Sequence, residues 1–232
     1  KFALDNLIDT TQHRMLQGKF AIPLYFDYVA TFTWALSGAI VGARRGYDIV
    51  GVFVIALVSA TGAGLIRDSI FLQRTPVFLT KGIYLMLIMS ATLLIAVTAR
   101  IKVLWSKWLS LDKVIELIDT IGVPAFAVVG MQLAMARDLP WPSVIFIGVT
   151  NGVGGGLLRD VIARDKPLLL VPGQFSALVV LLACFVFVAL VLWLHLEYAL
   201  AGVITMGLYM LIRLLTIRFN WRTSALIPNH QD

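Results

Sequence analysis

NGVGGGLLRD, residues 151–160, is the stretch that decides the fold. It lies near the end of an apolar run that begins at Trp141 and would otherwise make one membrane-spanning helix. Glycine loses more backbone freedom on ordering than alanine, so four glycines within five residues predict that the helix breaks or kinks here. Arg159 and Asp160 follow at once, and charged groups at membrane depth are costly unless they face protein or water. The stretch therefore predicts a site inside the membrane.

A second copy of the pattern, TGAGLIRD, stands 92 positions earlier at residues 61–68. With this shift fixed, residues 27–70 align with residues 119–162 without a gap. The matched polar and glycine positions are Asp27 with Asp119, Arg45 with Arg137, Gly38 with Gly130, Gly62 with Gly154, Gly64 with Gly156, Arg67 with Arg159, and Asp68 with Asp160. Such matches indicate an internal duplication. Ala63 replaces Gly155 in the first copy, which predicts a tighter and less mobile break there.

The composition is that of a polytopic membrane protein. Hydrophobic residues make up 59% of the chain, charged residues 14%, and the mean hydropathy is +0.90, whereas about 25% of a soluble domain is charged. The net charge of +6 is better explained by cytoplasmic loops than by a nucleic-acid partner. Metal-ligand spacing, a nucleophile with its base, and a histidine inside a span are all missing from the sequence, so we predict neither an enzyme nor a cofactor.

We predict an all-α chain with seven membrane spans. They cover residues 22–43, 49–66, 82–99, 114–135, 141–162, 168–194 and 199–217. The predicted organisation is a polar, amphipathic segment at 1–21, a first repeat at 22–99, a basic loop at 100–113, a second repeat at 114–194, a seventh span at 195–217 and a tail at 218–232. Because each repeat has three spans, the second must enter the membrane from the opposite side. Inverted repeats place sites at the repeat interface near the midplane, built from broken helices.

The distribution of lysine and arginine predicts the orientation of the chain. Twelve lie on the side that holds the C-terminus and seven on the side that holds the N-terminus. Cytoplasmic loops carry the excess of basic residues in membrane proteins. We therefore expect a multi-pass protein of the inner cell membrane, with a cytoplasmic C-terminus and the N-terminus outside.

Glycines and small polar residues form one group of candidate pore or gate residues. They are Gly62, Gly64, Gly154, Gly155, Gly156, Ser59, Thr61, Thr150 and Asn151. The hydroxyl and amide groups could coordinate a partly dehydrated ion together with carbonyls freed by the helix breaks. Alternatively, they only satisfy those carbonyls. The residues leave both interpretations open. Gly38, Gly42 and Gly130 are expected to serve helix packing, and Trp34 to pack between helices or to face lipid.

Charged residues form the second group, as lining of the pathway or as pairs between the repeats. They are Asp27, Arg67, Asp68, Asp119, Arg159 and Asp160. A fixed positive charge repels a permeating cation unless a carboxylate neutralises it, and neighbours on a helix do not face each other. Pseudo-symmetry therefore predicts Arg67 paired with Asp119, and Arg159 with Asp27. The alternative is that both arginines extend to the membrane interface as topology anchors.

Several motifs together resemble prokaryotic members of the trimeric intracellular cation (TRIC) channel family. They are Asp27 with ALSGA at residues 35–39, RRGYD at 44–48, the two glycine-rich Arg-Asp motifs, and Gly130. The resemblance covers about residues 22–217 and implies seven helices from two inverted three-helix repeats plus one. It also implies a homotrimer with an ion pathway in each subunit, permeable to monovalent cations, potassium above all and sodium as the other candidate.

One alternative function comes with the same resemblance. Related bacterial sequences have been labelled glycine transporters, and an inverted repeat could carry a small zwitterion by rocking one half against the other. Membrane lipid is the remaining expected partner, with an inner-leaflet headgroup docked on the basic loop.

Overall fold

The structure is a computed structural model that describes residues 21–100, 111–167, 170 and 176–219. Within these residues the chain is helical, with eight α-helices in the order α1 Ala21–Arg44, α2 Ile49–Ile66, α3 Val77–Thr80, α4 Ile83–Arg100, α5 Leu111–Met135, α6 Trp141–Ile162, α7 Ser176–Leu192 and α8 Tyr198–Arg218. A π-helical turn, Arg67–Phe71, continues α2 directly. The predicted N-terminal segment, most of the basic loop and most of the tail lie outside the described residues.

Five of the described helices are long and apolar enough to cross a membrane. They are the segments Leu24–Arg44, Ile49–Phe71, Lys113–Met135, Trp141–Ile162 and Tyr198–Arg218. The predicted third and sixth spans coincide with shorter apolar helices, Ile83–Ala99 and Ala177–Leu192. The all-helical membrane fold is thus confirmed, while the count of seven spans stays a prediction.

Four helices form the centre of the molecule. The first two helices of each repeat pack together, α1 with α2 and α5 with α6, and the repeats meet through α1 against α5 and α2 against α6. The third long helix of each repeat is more peripheral, with α4 against α1 and α7 against α6. α8 packs on α5 and α7 and has no counterpart in the first repeat. The first two helices of each repeat thus pack alike, as the duplication inferred from the sequence predicts, whereas the third helix lies mainly on the first helix in one repeat and mainly on the second in the other.

The loops between the first two helices of each repeat have the same backbone. Gly46 has φ +74° and Asp138, 92 positions later, has φ +53°. The same hydrogen bond closes both helices, from Tyr47 N to Gly42 O (3.2 Å) and from Leu139 N to Ala134 O (3.3 Å). A left-handed residue after a helix is a common way to end it, and glycine is the residue that adopts it without strain.

Substitutions at the left-handed positions of these two loops should change stability in opposite directions. Asp138→Gly is expected to stabilise by a few tenths of a kcal/mol to about 1 kcal/mol, and Gly46→Ala to destabilise by about 1 kcal/mol, because only the second forces a Cβ into the left-handed region. Both residues are exposed, and a Cβ on Gly46 meets nothing within 4 Å, so the sign of each change is set by backbone strain and not by a lost packing contact. Thermal unfolding in detergent measures both changes. Equal shifts of the same sign would contradict the argument.

The π-helical turn marks a one-residue difference between the repeats. Leu72 N donates to Arg67 O, five residues back, at 2.9 Å, whereas Ala163 N donates to Arg159 O, four residues back, also at 2.9 Å. After the turn, equivalent positions of the two repeats are 91 residues apart rather than 92. Gln73 and Arg164, which are separated by 91 residues, both have a positive φ, of 47° and 56°. A π-turn absorbs one additional residue without ending the helix, and such turns are frequent at functional sites.

Of the break or kink predicted at the second glycine motif, the break is wrong and the kink stays a prediction. Residues Trp141–Ile162 form one uninterrupted α-helix through Gly154, Gly155 and Gly156, because contacts with neighbouring helices offset the poor helix propensity of glycine. A Cβ on Gly155 would lie 2.5 Å from the carbonyl oxygen of Ser59, and one on Gly154 would lie 3.0 Å from the Ala63 Cβ. The glycines therefore let α6 approach α2 closely, as small residues do in membrane proteins.

Candidate functional site

A first buried charge cluster forms around Arg67, at the end of α2. The Arg67 side chain is 3% exposed; its Nε donates to Asp68 Oδ1 at 2.7 Å, and its Nη1 lies 3.7 Å from Asp27 Oδ1. Arg74 donates to the same Asp68 oxygen at 2.9 Å, and the Tyr84 hydroxyl donates to Asp27. Two carboxylates thus face two guanidinium groups, and buried charges are tolerated when they are paired and hydrogen-bonded in this way.

A second cluster forms around Arg159, near the end of α6. Arg159 Nη1 donates to Asp119 Oδ1 at 3.0 Å and Nε donates to Asp160 Oδ1 at 2.8 Å. The Ser37 hydroxyl accepts from Arg159 and donates to Asp119 Oδ1 at 3.0 Å, which joins the two repeats. The Arg159 Cζ lies 5.5 Å from the centroid of the Trp34 ring, within the range of a cation–π contact.

The predicted crossed pairing of these residues is wrong. Arg67 pairs with Asp27 and Arg159 with Asp119, each within its own repeat. Consecutive helices of a repeat run antiparallel, so the start of the first lies beside the end of the second. Ser37, the Arg159 partner on α1, is ten residues from Asp27, about 15 Å along a helix. The two clusters therefore lie at opposite ends of the four central helices.

Two further expectations about the arginines are also corrected. Arg67 contacts the adjacent Asp68, and Arg159 the adjacent Asp160, although neighbours point in different directions on a helix. The arginine side chain is long enough to fold back along the helix, and burial favours the nearest carboxylate as its partner. Both arginines are buried within the protein, so they do not extend to the interface as anchors.

The small polar candidates mostly bond to backbone carbonyls. Thr61 Oγ1 donates to Leu57 O at 2.7 Å, and Thr150 Oγ1 donates to Phe146 O at 2.8 Å, each within its own helix. Of the two interpretations that the sequence leaves open, these two hydroxyls therefore agree with the second, in which they satisfy backbone carbonyls. Buried threonines commonly do so in membrane helices.

Ser59 and Asn151, which are equivalent under the 92-residue shift, behave differently. Both are buried near the middle of their helices, and the Asn151 amide donates to Phe126 O at 2.5 Å. Among the described residues, neither Ser59 Oγ nor Asn151 Oδ1 has a hydrogen-bond partner. Buried polar atoms of this kind are rare and call for an explanation. The two repeats thus carry an oxygen without a hydrogen-bond partner at equivalent positions near the middle of their helices.

A small polar cavity adjoins the first cluster. It has a volume of about 20 Å³, and its lining includes Asp27, Thr31, Thr61, Arg67 and Phe126. Arg67 Nη1 is buried there without a hydrogen-bond partner among the described residues. A cavity needs roughly 10–15 Å³ to hold one water, so this cavity is large enough for one.

Sequence reasoning missed four residues of this region. Arg74 and Tyr84 complete the first cluster, and Ser37 and Trp34 complete the second. Ser37 lies ten residues, almost three helical turns, after Asp27, and this spacing could have marked a second polar level on the first span. No comparable sequence signal marks Trp34 or Tyr84.

Comparison with known families places the chain among membrane proteins. A family model described as glycine transporter matches residues 24–100 and 116–195, which are the two repeats. A UPF0126 membrane protein of Deinococcus radiodurans is 35% identical over 62% of this chain and 64% of its own length. The UPF0126 proteins YvgT of Bacillus subtilis and YadS of Escherichia coli are 34% and 33% identical over 61% and 63% of this chain and 68% of theirs. The chain spans a little under two thirds of the Deinococcus relative.

Solved structures share most of the arrangement of helices. A TRIC cation channel structure superposes with a TM-score of 0.75 over 88% of this chain and 97% of its own, at 26% identity. The chain belongs to the prokaryotic TRIC-like family of membrane proteins. A TRIC orthologue from Rhodobacter sphaeroides shares the fold of this TRIC-like protein, with a TM-score of 0.78 over 86% of this chain and 99% of its own, at 24% identity. The relatives of the TRIC-like chain are channels and membrane proteins rather than enzymes.

Proposed function

We propose that this TRIC-like protein is a monovalent cation channel whose ion pathway runs between the two repeats of each subunit. The paired state of both buried arginines carries the proposal. A lone Arg67 or Arg159 would repel a permeating cation, but each lies against carboxylates within hydrogen-bonding or ion-pair distance. The electrostatic barrier is thereby reduced at both ends of the four central helices.

The constriction of the proposed pathway is the crossing of α2 and α6. The two glycine motifs meet there, since Gly154 approaches Ala63 and Gly155 approaches Ser59. Gating then consists of the separation of these helices, for which kinks at the glycines would provide the freedom. Ser59 Oγ and Asn151 Oδ1 supply unpaired oxygens to a partly dehydrated ion at this depth. Potassium is the preferred ion in this proposal, with sodium as the second candidate.

The relatives support the channel and extend it to an assembly. The superposing structures are of TRIC cation channels, including a prokaryotic TRIC channel at 26% identity, and the Rhodobacter orthologue is described as trimeric. We propose a homotrimer in the inner membrane, as its E. coli relative is described, with the C-terminus cytoplasmic, the N-terminus outside and lipid bound at the basic loop.

Glycine transport is the second candidate, on the chemistry of the two clusters and not on the description of the matched family model. The carboxylate and guanidinium groups of the clusters would suit the ends of a zwitterion. The channel ranks first because the superposing channel structures cover nearly nine tenths of the chain. The two candidates make different predictions for the same sample.

Purified protein in planar bilayers under a potassium gradient tests the proposal. We expect discrete unitary currents that reverse near the potassium equilibrium potential and do not change when millimolar glycine is added. A silent bilayer together with saturable glycine uptake into matched liposomes would replace the channel by the transporter.

Neutralising one carboxylate tests where the ions pass. Asp119 has the most exposed side chain of the four cluster aspartates, at 18%. Asp119→Asn is expected to lower the cation-over-anion permeability ratio several-fold, because a cation in the pathway loses the attraction of one nearby negative charge. Asp138→Asn, the same change on an exposed loop, is the control and should leave the ratio unchanged. An equal effect of both variants would mean that surface charge alone sets the selectivity.

A further inference from the structure

The proposed pathway has two halves, one beside Arg67 and one beside Arg159, which we call half-sites. Each half-site is covered by an aromatic ring from the opposite repeat. Trp34 and Phe126 are equivalent under the 92-residue shift. The Trp34 ring lies against Arg159 of the second repeat, and Phe126 lines the cavity beside Arg67 of the first. The two arginines therefore have pseudo-equivalent surroundings that differ in the size of the covering ring.

The half-site under Phe126 has room for water. Its cavity of about 20 Å³ is lined by the hydroxyl-bearing Thr31 and Thr61 and by Arg67, whose Nη1 has no hydrogen-bond partner among the described residues. The missing partner has a simple cause, because Val129 occupies the position equivalent to Ser37, which bonds Arg159 in the other half. A cationic N–H that is ion-paired at 3.7 Å but has no hydrogen-bond partner among the described residues, next to a water-sized space, indicates a hydrated half-site.

The half-site under Trp34 is filled by the indole. Trp34 is 2% exposed, and a Cβ built on Gly156 would lie 2.7 Å from the ring and one on Gly155 3.1 Å from it. The ring therefore rests directly on the backbone of α6. Apolar Val123 and Val153 stand at the positions equivalent to Thr31 and Thr61.

We propose that Trp34 seals the Arg159 half of the pathway, while Phe126 leaves the Arg67 half hydrated. The inference rests on the proposed channel, because it assumes a pathway between the repeats. It also explains the unequal glycine motifs: glycine is required beneath the large indole at position 155, whereas the equivalent Ala63 stands in the half covered by the smaller Phe126. The indole Nε1 has no hydrogen-bond partner among the described residues, so packing and the cation–π contact with Arg159 hold the ring in place.

Thiol labelling tests the seal without relying on current. Cys184 is the only cysteine of the chain, so Cys184→Ala gives a cysteine-free background, into which Ser37→Cys places a thiol in the half-site under Trp34. A small charged methanethiosulfonate reagent and mass spectrometry then report water access. Adding Trp34→Phe is expected to speed labelling about tenfold, which corresponds to about 1.4 kcal/mol in the opening equilibrium, and to raise the open probability in bilayers.

Phe126→Trp is the matched reverse variant, since it places the larger ring over the hydrated half. Phe126→Trp is expected to lower the open probability and to leave the labelling rate of Ser37→Cys unchanged. If Trp34→Phe does not fold, this variant still tests the proposal. Unchanged labelling in folded Trp34→Phe, or unchanged currents in Phe126→Trp, would overturn the seal. Faster labelling in Trp34→Phe with no current in any variant, wild type included, would support the seal and refute the channel function.

Discussion

Arg159→Ala is expected to lower the free energy of unfolding by about 3–5 kcal/mol, the range for removing one partner of a buried ion pair. Arg159 is 1% exposed and holds Asp119, Asp160 and Ser37 together. Without the guanidinium, two carboxylates remain close together in a buried region, where solvation cannot compensate. Thermal unfolding in detergent should show a melting temperature lower by on the order of 10 °C.

Arg137→Ala is the matched control for Arg159→Ala, since it removes the same charge from an exposed loop position. Its effect should stay within about 0.5 kcal/mol. Comparable losses in the two variants would show that net charge, and not the cluster, determines the stability.

A double-mutant cycle separates the observed pairing from the crossed one. Asp119→Ala and Arg159→Ala should couple by about 0.5–3 kcal/mol, as contacting residues do, whereas Asp27→Ala and Arg159→Ala should add independently. Coupling of Arg159 to Asp27 and not to Asp119 would restore the crossed arrangement.

Gly155→Leu is expected to cost more than the 1–3 kcal/mol typical of overpacking, and Gly155→Ala to fall within about that range. Even a methyl group would lie 2.5 Å from the Ser59 carbonyl oxygen, which is a clash, and 3.1 Å from the Trp34 ring, which is a tight contact. Neither the backbone of α2 nor the buried indole can move freely, so α2 and α6 must separate. Thermal unfolding and the yield of monodisperse protein measure the loss.

Gly207→Ala provides the matched control, because Gly207 lies within α8 and a Cβ there meets nothing within 4 Å. This change is expected to stabilise by about 0.5–1 kcal/mol through helix propensity alone. If Gly155→Ala stabilised the protein to a similar degree, close packing of α2 and α6 would not be the reason for glycine at this position.

The sequence by itself determined the class of the protein and the residues that matter. Apolar composition fixed a membrane protein, because so few charges cannot cover a soluble surface. The 92-residue repeat made Asp27, Arg67, Asp119 and Arg159 candidates before any contact was known, and all four lie in the two buried clusters. These inferences succeed because composition and duplication are properties of the chain alone.

The tertiary structure decided which residues meet and what the glycines do. Pairing depends on the level of each side chain along antiparallel helices, which sequence symmetry cannot supply, so the crossed pairs failed. The glycine motif stays helical because α1, α2 and α5 pack against the glycines of α6. These contacts offset the cost that helix propensity assigns to glycine in an isolated segment. The unequal half-sites likewise follow from the fit of Trp34 on Gly155 and Gly156, a matter of shape that exists only once the helices are packed.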